Sequence, residues 1–441
     1  MINQFTTAIP IVVLTLLLGI TKASNVTDDS NYTLPLCKGL NESYQGAGQP
    51  ILGTGKVILE EGEADDNFQF TALDNLRRLQ DALAKRGVLL IVLPIPTRAY
   101  AFSDRVDKSA FPKFTFSNNK YLVGWKTMLR SASGNDVRII NILPGIDSFK
   151  RNARNEDFFY TRDPHWTTSG AEVSAKIAAE YIKKLVLQKG IKLNVTDKVA
   201  NESRGHDLTG IQNNRYRQAC KVSTDDLATY KVDVSDKKAD LLSEERYEIG
   251  VFGDSFGLTS PDNNFAPFLE LYTGAKVINY SAQGGGLFGG LLGYLADPKI
   301  NANLPKIAII PVASPISNET FLYNSVIDTL DFCKNKVNDA SVRLTINNKI
   351  TSPYLNIKLQ TSNYAKLEFS SRVSNFNVIE TMKDKTVNYI KINRYYSDLY
   401  RGPTTQYYIP LGDTTKLSSI SIKIEDEKSV VDSVSLNLCR S

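Results

Sequence analysis

Tyr247-Glu248-Ile249-Gly250-Val251-Phe252-Gly253-Asp254-Ser255-Phe256 reads as a short apolar strand running directly into a tight turn. Gly-Asp-Ser is good turn chemistry, and a serine presented just past a strand is placed where nucleophiles act in α/β proteins. A serine hydroxyl is a weak nucleophile at neutral pH, so it needs a base that is itself oriented by an acid. The chain has two histidines in 441 residues, and one lies upstream in Asp163-Pro164-His165-Trp166. An acid two residues before a histidine can aim both groups at one site, with Pro164 stiffening the link. In this reading Ser255 is the nucleophile, His165 the base and Asp163 the orienting acid. The oxyanion donors would be the Ser255 N–H together with Gly284 and Gly285 of Gly284-Gly285-Gly286, or Asn279. His206, in Gly205-His206-Asp207, is a competing base. Taken singly, each motif has a plain structural alternative: a turn, a helix cap or a flexible helix entry.

Outward from this stretch, apolar strands alternate with helices. A helix over Thr71–Arg86 leads to the strand Val88–Leu93, and a helix over Asn119–Arg130 leads to a strand over Val137–Leu143. After His165 a helix begins, with Ser169-Gly170-Ala171-Glu172 as a capping-box pattern and one apolar stripe reaching Gly190. Residues 190–245 look polar and irregular. The alternation resumes with the strand 247–252, a helix over 265–273, the strand Lys276–Tyr280, a Gly-rich turn and helix over 284–295, and the strand Lys306–Val312. This pattern predicts a mostly parallel sheet covered on both faces, with sites at the carboxyl ends of its strands.

Beyond about residue 340 the period changes to two. Ser341–Ile346, Tyr354–Leu359 and Leu417–Ile424 alternate apolar and polar residues between turns, the pattern of an antiparallel β-sandwich. Two domains are expected, α/β over 25–340 and all-β over 341–441.

Residues 1–24 hold an apolar run, Ile9 to Ile20, followed by Thr21-Lys22-Ala23-Ser24. The run is short for a bilayer span and a small-residue site follows it, as in a cleavable secretory signal. Its leading segment lacks Lys and Arg, so an uncleaved N-terminal anchor is the alternative. Cys37, Cys220, Cys333 and Cys439 are even in number, widely spaced and free of CxxC. That argues against zinc and for disulfides in an oxidising compartment. Three connectivities are open; Cys37–Cys220 with Cys333–Cys439 is attractive because each bond stays within one region and ties down a chain end. A net charge of +5 without any Lys/Arg block speaks against nucleic acid as a partner. No metal or cofactor is expected.

Asp163-Pro164-His165-Trp166-Thr167, then Gly253-Asp254-Ser255-Phe256, then Asn279-Tyr280-Ser281 running into Gly284-Gly285-Gly286, resemble the SGNH-hydrolase-like alginate O-acetyltransferases of the AlgX/AlgJ family. The Asp-x-His precedes the serine, the reverse of the order in conventional SGNH hydrolases, and the C-terminal β-domain favours the AlgX branch. The resemblance covers nearly the whole chain after residue 24. It implies a periplasmic enzyme with an SGNH-hydrolase-like α/β domain, a β-sandwich carbohydrate-binding module and one disulfide per domain. Ser255 would accept acetyl from membrane donor proteins and pass it to an acidic, alginate-like polysaccharide within an export complex. The family's binding module uses basic and aromatic side chains including a tryptophan, whereas Trp125 and Trp166 both precede the β-domain here. The substitutes expected are Arg394, Tyr395, Tyr396, Tyr400 and Arg401, with Tyr407 and Tyr408. Tyrosine rings stack on sugars and arginine pairs with uronates; the tyrosines of this set are equally well read as cross-strand aromatic pairs that stabilise a sheet. An acetylesterase and a non-catalytic glycan-binding scaffold are the competing functions.

Overall fold

The computed structural model describes residues 34–37, 40, 50–68, 70–112, 114–151, 156–237, 246–258, 264–281, 287–295, 303–313, 316, 318–331, 333, 335–336, 342–345, 364–373, 375–393, 404–411, 416–425, 431 and 433–440. Residues 1–24, Gly284, Gly285, the strand expected over Tyr354–Leu359, and Arg394, Tyr395, Tyr396, Tyr400 and Arg401 lie outside the described residues.

A small antiparallel pair, β1 (Pro50–Gly53) and β2 (Val57–Glu60), leads into α1 (Leu73–Ala84). The run LLIVLPI then forms β3 (Leu89–Ile95), buried at every position after its first. Next come α2 (Arg98–Phe102), α3 (Asn118–Gly134), α4 (Leu143–Arg151) and α5 (Thr168–Lys189). β4 (Lys198–Leu208) and β5 (Leu227–Asp236) pair antiparallel on either side of α6 (Ile211–Cys220). β6 (Ile249–Val251), α7 (Phe265–Thr273), β7 (Val277–Asn279), α8 (Gly289–Leu295), β8 (Ile307–Ala313) and α9 (Thr320–Asp331) follow.

β3, β8, β6 and β7 hydrogen-bond in that order, all parallel. Strands buried on both faces read as unbroken apolar runs, which is why β3 and β8 were legible. Because all four strands point the same way, Ile95, Ala313, Val251 and Asn279 end on one rim. The ladder outlasts the strands: the Phe252 N–H donates to the Ile309 carbonyl at 2.9 Å and the Asp254 N–H to that of Pro311 at 3.2 Å. This carries the serine turn onto the rim.

Three local expectations need correction. Val137–Leu143 is not a full strand: Ile139 makes one parallel bridge to Val92, and Leu143 already begins α4. The Asn141 side chain accepts from the Leu143 N–H at 3.2 Å, acting as a helix cap that ends the extended run. The helix after His165 is capped by Thr167, whose hydroxyl accepts from the Gly170 N–H at 3.1 Å, and not by Ser169, which donates to Glu156. The stretch 190–245 holds the β4–β5 hairpin and α6. β4 is exposed along most of its length, so no apolar period betrayed it.

The C-terminal region is antiparallel throughout. One sheet orders β10 (Val342–Thr345), β16 (Ser433–Arg440), β11 (Tyr364–Val373) and β14 (Thr404–Pro410), with β9 (Asn335–Lys336) also on β16. The other orders β13 (Val387–Asn393), β12 (Asn375–Met382) and β15 (Leu417–Ile424). Leu367, Tyr407 and Leu436 from the first sheet share a core with Phe376, Val378 and Ile420 from the second, so the two sheets pack face to face. Tyr407 is part of that core, 4.7 Å from the Phe376 ring, and Tyr408 is also buried, beside Cys333, Tyr364 and Cys439. Of the two readings of this pair, the aromatic-packing one holds.

Cys37 is bonded to Cys220 and Cys333 to Cys439. The second bond does not stay within one region as expected: it joins Cys333, just after α9 at the end of the α/β region, to the last strand of the sandwich.

Candidate active site

Asp163, Pro164 and His165 sit at the tip of a tight loop. Phe159 and Trp166 bridge antiparallel across it, the Tyr160 N–H donates to the His165 carbonyl at 2.9 Å, and the Thr167 N–H donates to that of Phe158 at 3.0 Å. Asp163 Oδ1 lies 2.6 Å from His165 Nδ1 and also accepts from the His165 N–H at 3.0 Å. Oδ2 accepts from the Ile211 N–H at 3.2 Å, at the first turn of α6. The chain comes this close through Gly210, which has φ 78°; a Cβ there would lie 2.7 Å from the Arg162 carbonyl oxygen.

Burial alone would push the Asp163 carboxyl up, but the hydrogen bond and charge of His165 and the two backbone N–H groups outweigh it, and the group sits below its ordinary value. An ionised carboxylate only accepts, so Nδ1 carries the proton and Nε2 is left as the basic nitrogen. His165 Nε2 is buried and has no hydrogen-bond partner. A buried polar atom left unpaired in this way is unusual and marks a position for a further group.

The Ser255 turn meets this loop through its neighbour. The Phe256 ring centroid lies 5.1 Å from that of His165 and 5.3 Å from that of Trp166, which in turn stacks on Phe265 of α7. Ser255 itself is half-buried. Its turn is pinned on both sides: Asp254 Oδ1 accepts from the Phe256 N–H at 2.9 Å and Oδ2 from the Ala313 N–H at 3.0 Å. Burial pushes the Asp254 carboxyl above its ordinary value, against these two bonds and the nearby His165. Gly253 is required by close approach, since a Cβ there would fall 2.0 Å from the Pro311 carbonyl oxygen. Its N–H donates to Ser281 Oγ at 3.1 Å.

Asn279 lies at the end of β7 on the same rim. Its amide donates to the Gly257 carbonyl at 2.7 Å and its Oδ1 accepts from the Ser281 N–H at 3.1 Å, bracing the serine loop against the next strand. His206 is exposed on β4, and the described partners of the Asp163 carboxylate are His165 and the Ile211 N–H.

A cleft of about 390 Å³ opens beside the two loops, walled by Pro164, Phe256, Ala313, Ile95 and Thr97 at the rim of the sheet. Sequence reasoning missed its other wall and the brace behind it. Arg98, buried at the start of α2, donates to Glu63 at 3.2 Å and Gln212 at 2.8 Å, and to the Tyr160 and Thr161 carbonyls at 2.9 Å each. It thereby ties the Asp163 loop to α6 and to the segment after β2. The partners lie 35 to 114 residues apart, and no local pattern announces them. Among the described residues no group of three His, Cys, Asp or Glu side chains is placed to hold a metal ion.

Residues 55–310 match the family model of the SGNH hydrolase-like domain of the acetyltransferase AlgX. The chain belongs to this family. It is 28% identical over 292 residues to the alginate biosynthesis protein AlgX of Pseudomonas putida, covering 64% of this chain and 58% of that protein. To the AlgX of Azotobacter vinelandii it is 29% identical over 302 residues, covering 64% and 56%. The match thus spans little more than half the length of these curated relatives. Among solved structures, AlgX of Pseudomonas aeruginosa superposes with a TM-score of 0.76 at 19% identity, covering 92% of this chain and 99% of that one. The O-acetyltransferase domain of Pseudomonas putida AlgJ superposes with a TM-score of 0.50 at 17% identity, covering 65% and 99%. The fold is therefore that of AlgX, with the parallel-sheet region and the antiparallel C-terminal sheets both matched.

Proposed function

We propose that this chain is a polysaccharide O-acetyltransferase that works through an acetyl-Ser255 intermediate. The observation that carries the reading is His165, whose Nδ1 is held by an ionised Asp163 while its buried Nε2 has no partner, packed against the residue next to Ser255. In the first half-reaction Ser255 Oγ attacks the donor's acetyl carbonyl and its proton passes to His165 Nε2. The donor oxygen leaves with that proton. In the second, a sugar hydroxyl attacks the acetyl carbon; its proton passes through Nε2 to Ser255 Oγ as the Oγ–acetyl bond breaks. Asp163 keeps the imidazole in the tautomer that can accept and stabilises the imidazolium. The Ser255 N–H, with Gly284 and Gly285 or Asn279, would hold the oxyanion, at about 2.7–4 kcal/mol per donor.

Family membership and the paired cysteines support a periplasmic enzyme led out by the segment 1–24; no helix among the described residues is long and apolar enough to cross a membrane. Residues 25–340 would form the catalytic domain and 341–441 a glycan-binding module using Arg394, Tyr395, Tyr396, Tyr400 and Arg401. The relatives are named for alginate biosynthesis, which supports an alginate-like polymer as the acceptor; membrane acetyl donors and an export complex are the partners that this reading expects. Incubation with a chromogenic acetyl ester, with and without glycan oligomers, tests the reading. A burst followed by acetylated oligomers is expected. Hydrolysis unaffected by oligomers would make it an esterase, and activity independent of Ser255 would overturn the site.

A further inference from the structure

Helix α6 reaches the catalytic loop with its first turn and is tied down at its other end. The Ile211 N–H donates to Asp163 Oδ2 at 3.2 Å, one of the bonds that keep that carboxyl below its ordinary value, and the Asn213 N–H donates to the Arg162 carbonyl at 3.1 Å. Gln212 accepts from Arg98 at 2.8 Å and donates to Glu63 at 3.2 Å, and Arg215 pairs with Glu60. The helix is ten residues long, and helices of that length are marginal without tertiary support. Of its four buried residues, Gln212 and Asn213 are polar and only Tyr216 and Ala219 are apolar. Its apolar anchorage is therefore a small cluster at the end far from Asp163, where Tyr216 and Ala219 meet Leu34, Leu40, Leu52 and Ile58. There Tyr216 also donates its hydroxyl to the Pro35 carbonyl at 2.7 Å, and Cys220, the last residue of the helix, is bonded to Cys37. The segment around Cys37 is a strap over the helix, and the disulfide is its covalent hold.

The two disulfides differ in access. Cys333 and Cys439 are buried, at 3% and 0% exposure, whereas Cys37 and Cys220 are half-buried. Exchange needs a thiolate to reach one of the sulfurs. We infer that the Cys37–Cys220 bond is a positioning element of the active site, and that a dithiol reductant lowers Ser255 acylation by opening it while the rest of the fold stands. A thiolate of the reductant attacks one sulfur and the other leaves as a thiolate; the second thiol then closes on the mixed disulfide and releases that cysteine. Two electrons and two protons end on Cys37 and Cys220, and the reductant is left as its disulfide. Without the bond, α6 is free to tilt about Gly210, the positive-φ residue at its start, which lengthens the Ile211 contact and takes a donor from Asp163. The inference rests on the acyl-enzyme reading above and adds a redox-sensitive control to it.

The test treats the folded full chain with graded dithiothreitol. Free thiols are tagged and mapped by peptide mass spectrometry, and the Ser255 burst with a chromogenic acetyl ester is followed on the same samples. Tags should appear on Cys37 and Cys220 before Cys333 and Cys439, with the far-UV circular dichroism unchanged. The acylation rate should fall about ten- to a hundredfold in step with those first tags, the scale of a small misplacement of catalytic groups, and reoxidation should restore it. In the histidine-labelled chain, the downfield proton resonance of His165 Nδ1 should shift on reduction; a bond that only stabilised the fold would leave it in place. The paired Cys37→Ser and Cys220→Ser variant should match the reduced enzyme, and if it does not fold the reduction series decides alone. An unchanged rate and resonance with Cys37 and Cys220 fully tagged, tags first on Cys333 and Cys439, or unfolding as the first tags appear, overturns the inference while the acyl-enzyme reading stands. Absence of the burst in the oxidised chain would remove the acyl-enzyme reading, and this inference with it.

Discussion

Replacing Asp163 with Asn keeps the shape of the loop and breaks its hydrogen-bond arithmetic. The carboxylate takes three donors: His165 Nδ1–H at 2.6 Å and the His165 N–H at 3.0 Å on Oδ1, and the Ile211 N–H at 3.2 Å on Oδ2. An amide has one oxygen. If that oxygen occupies the Oδ1 place, the amide nitrogen faces the Ile211 N–H, donor against donor, at about 1–3 kcal/mol for a buried unpaired group. If the amide flips, its nitrogen faces His165 Nδ1 and drives the proton onto Nε2, which can no longer accept from Ser255. Either orientation also removes the charge that stabilises the imidazolium. The expected outcome is a loss on the order of 10³–10⁴ in the rate of Ser255 acylation, the scale known for this substitution in serine-protease triads, and about 1–3 kcal/mol of stability. Burst kinetics with a chromogenic acetyl ester measure the first and denaturant unfolding the second. A variant that acylates within tenfold of the wild-type rate would refute Asp163 as the orienting acid.

Three further outcomes follow from the same structure. Gly253→Ala places a methyl group 2.0 Å from the Pro311 carbonyl oxygen, so the serine turn must shift; a loss of about 1–3 kcal/mol in urea unfolding and at least a tenfold fall in acylation rate are expected. Arg98→Lys retains the charge but cannot span Glu63, Gln212 and the Tyr160 and Thr161 carbonyls together, so thermal stability should drop and kcat should fall, more than KM rises, because the Asp163 loop loses its brace. Asp328, buried in α9 near Asp331, is pushed up to about 7 by burial and that neighbouring charge, against Arg78. The unfolded chain loses this proton near the ordinary value of 3.8, so stability should decline as pH rises from about 4 to about 7 and level off above; Asp328→Asn should remove that decline and raise stability at pH 8 by on the order of 1–3 kcal/mol. An Asn variant with an unchanged pH–stability curve would contradict the assignment.

What could be read in advance was local. Asp163 and His165 are two residues apart, so their pairing needed only a loop, and Ser255 follows its strand directly. Leu417–Ile424 forms β15 with the boundaries that its period-two pattern set. The failures are also physical. Asn141 accepts from the Trp125 indole N–H at 2.9 Å and caps α4 at once, so an apolar run that fits a strand ends as a helix. β4 shows no period because neither of its faces is buried by the sheet. The supports of the site are the least legible part, because Arg215 finds Glu60 from 155 residues away and Asp163 finds the Ile211 N–H from 48. Contacts of that kind exist only once the chain has closed on itself.

The claim on which the account turns is that Ser255 carries the acetyl group. Brief reaction of the full chain with an acetyl ester, acid quench and peptide mass spectrometry test it directly. The account predicts one acetyl group on the peptide containing Ser255, lost on chase with an acceptor glycan and absent in Ser255→Ala. An acetyl group on another residue, or an unchanged adduct in Ser255→Ala, would contradict it.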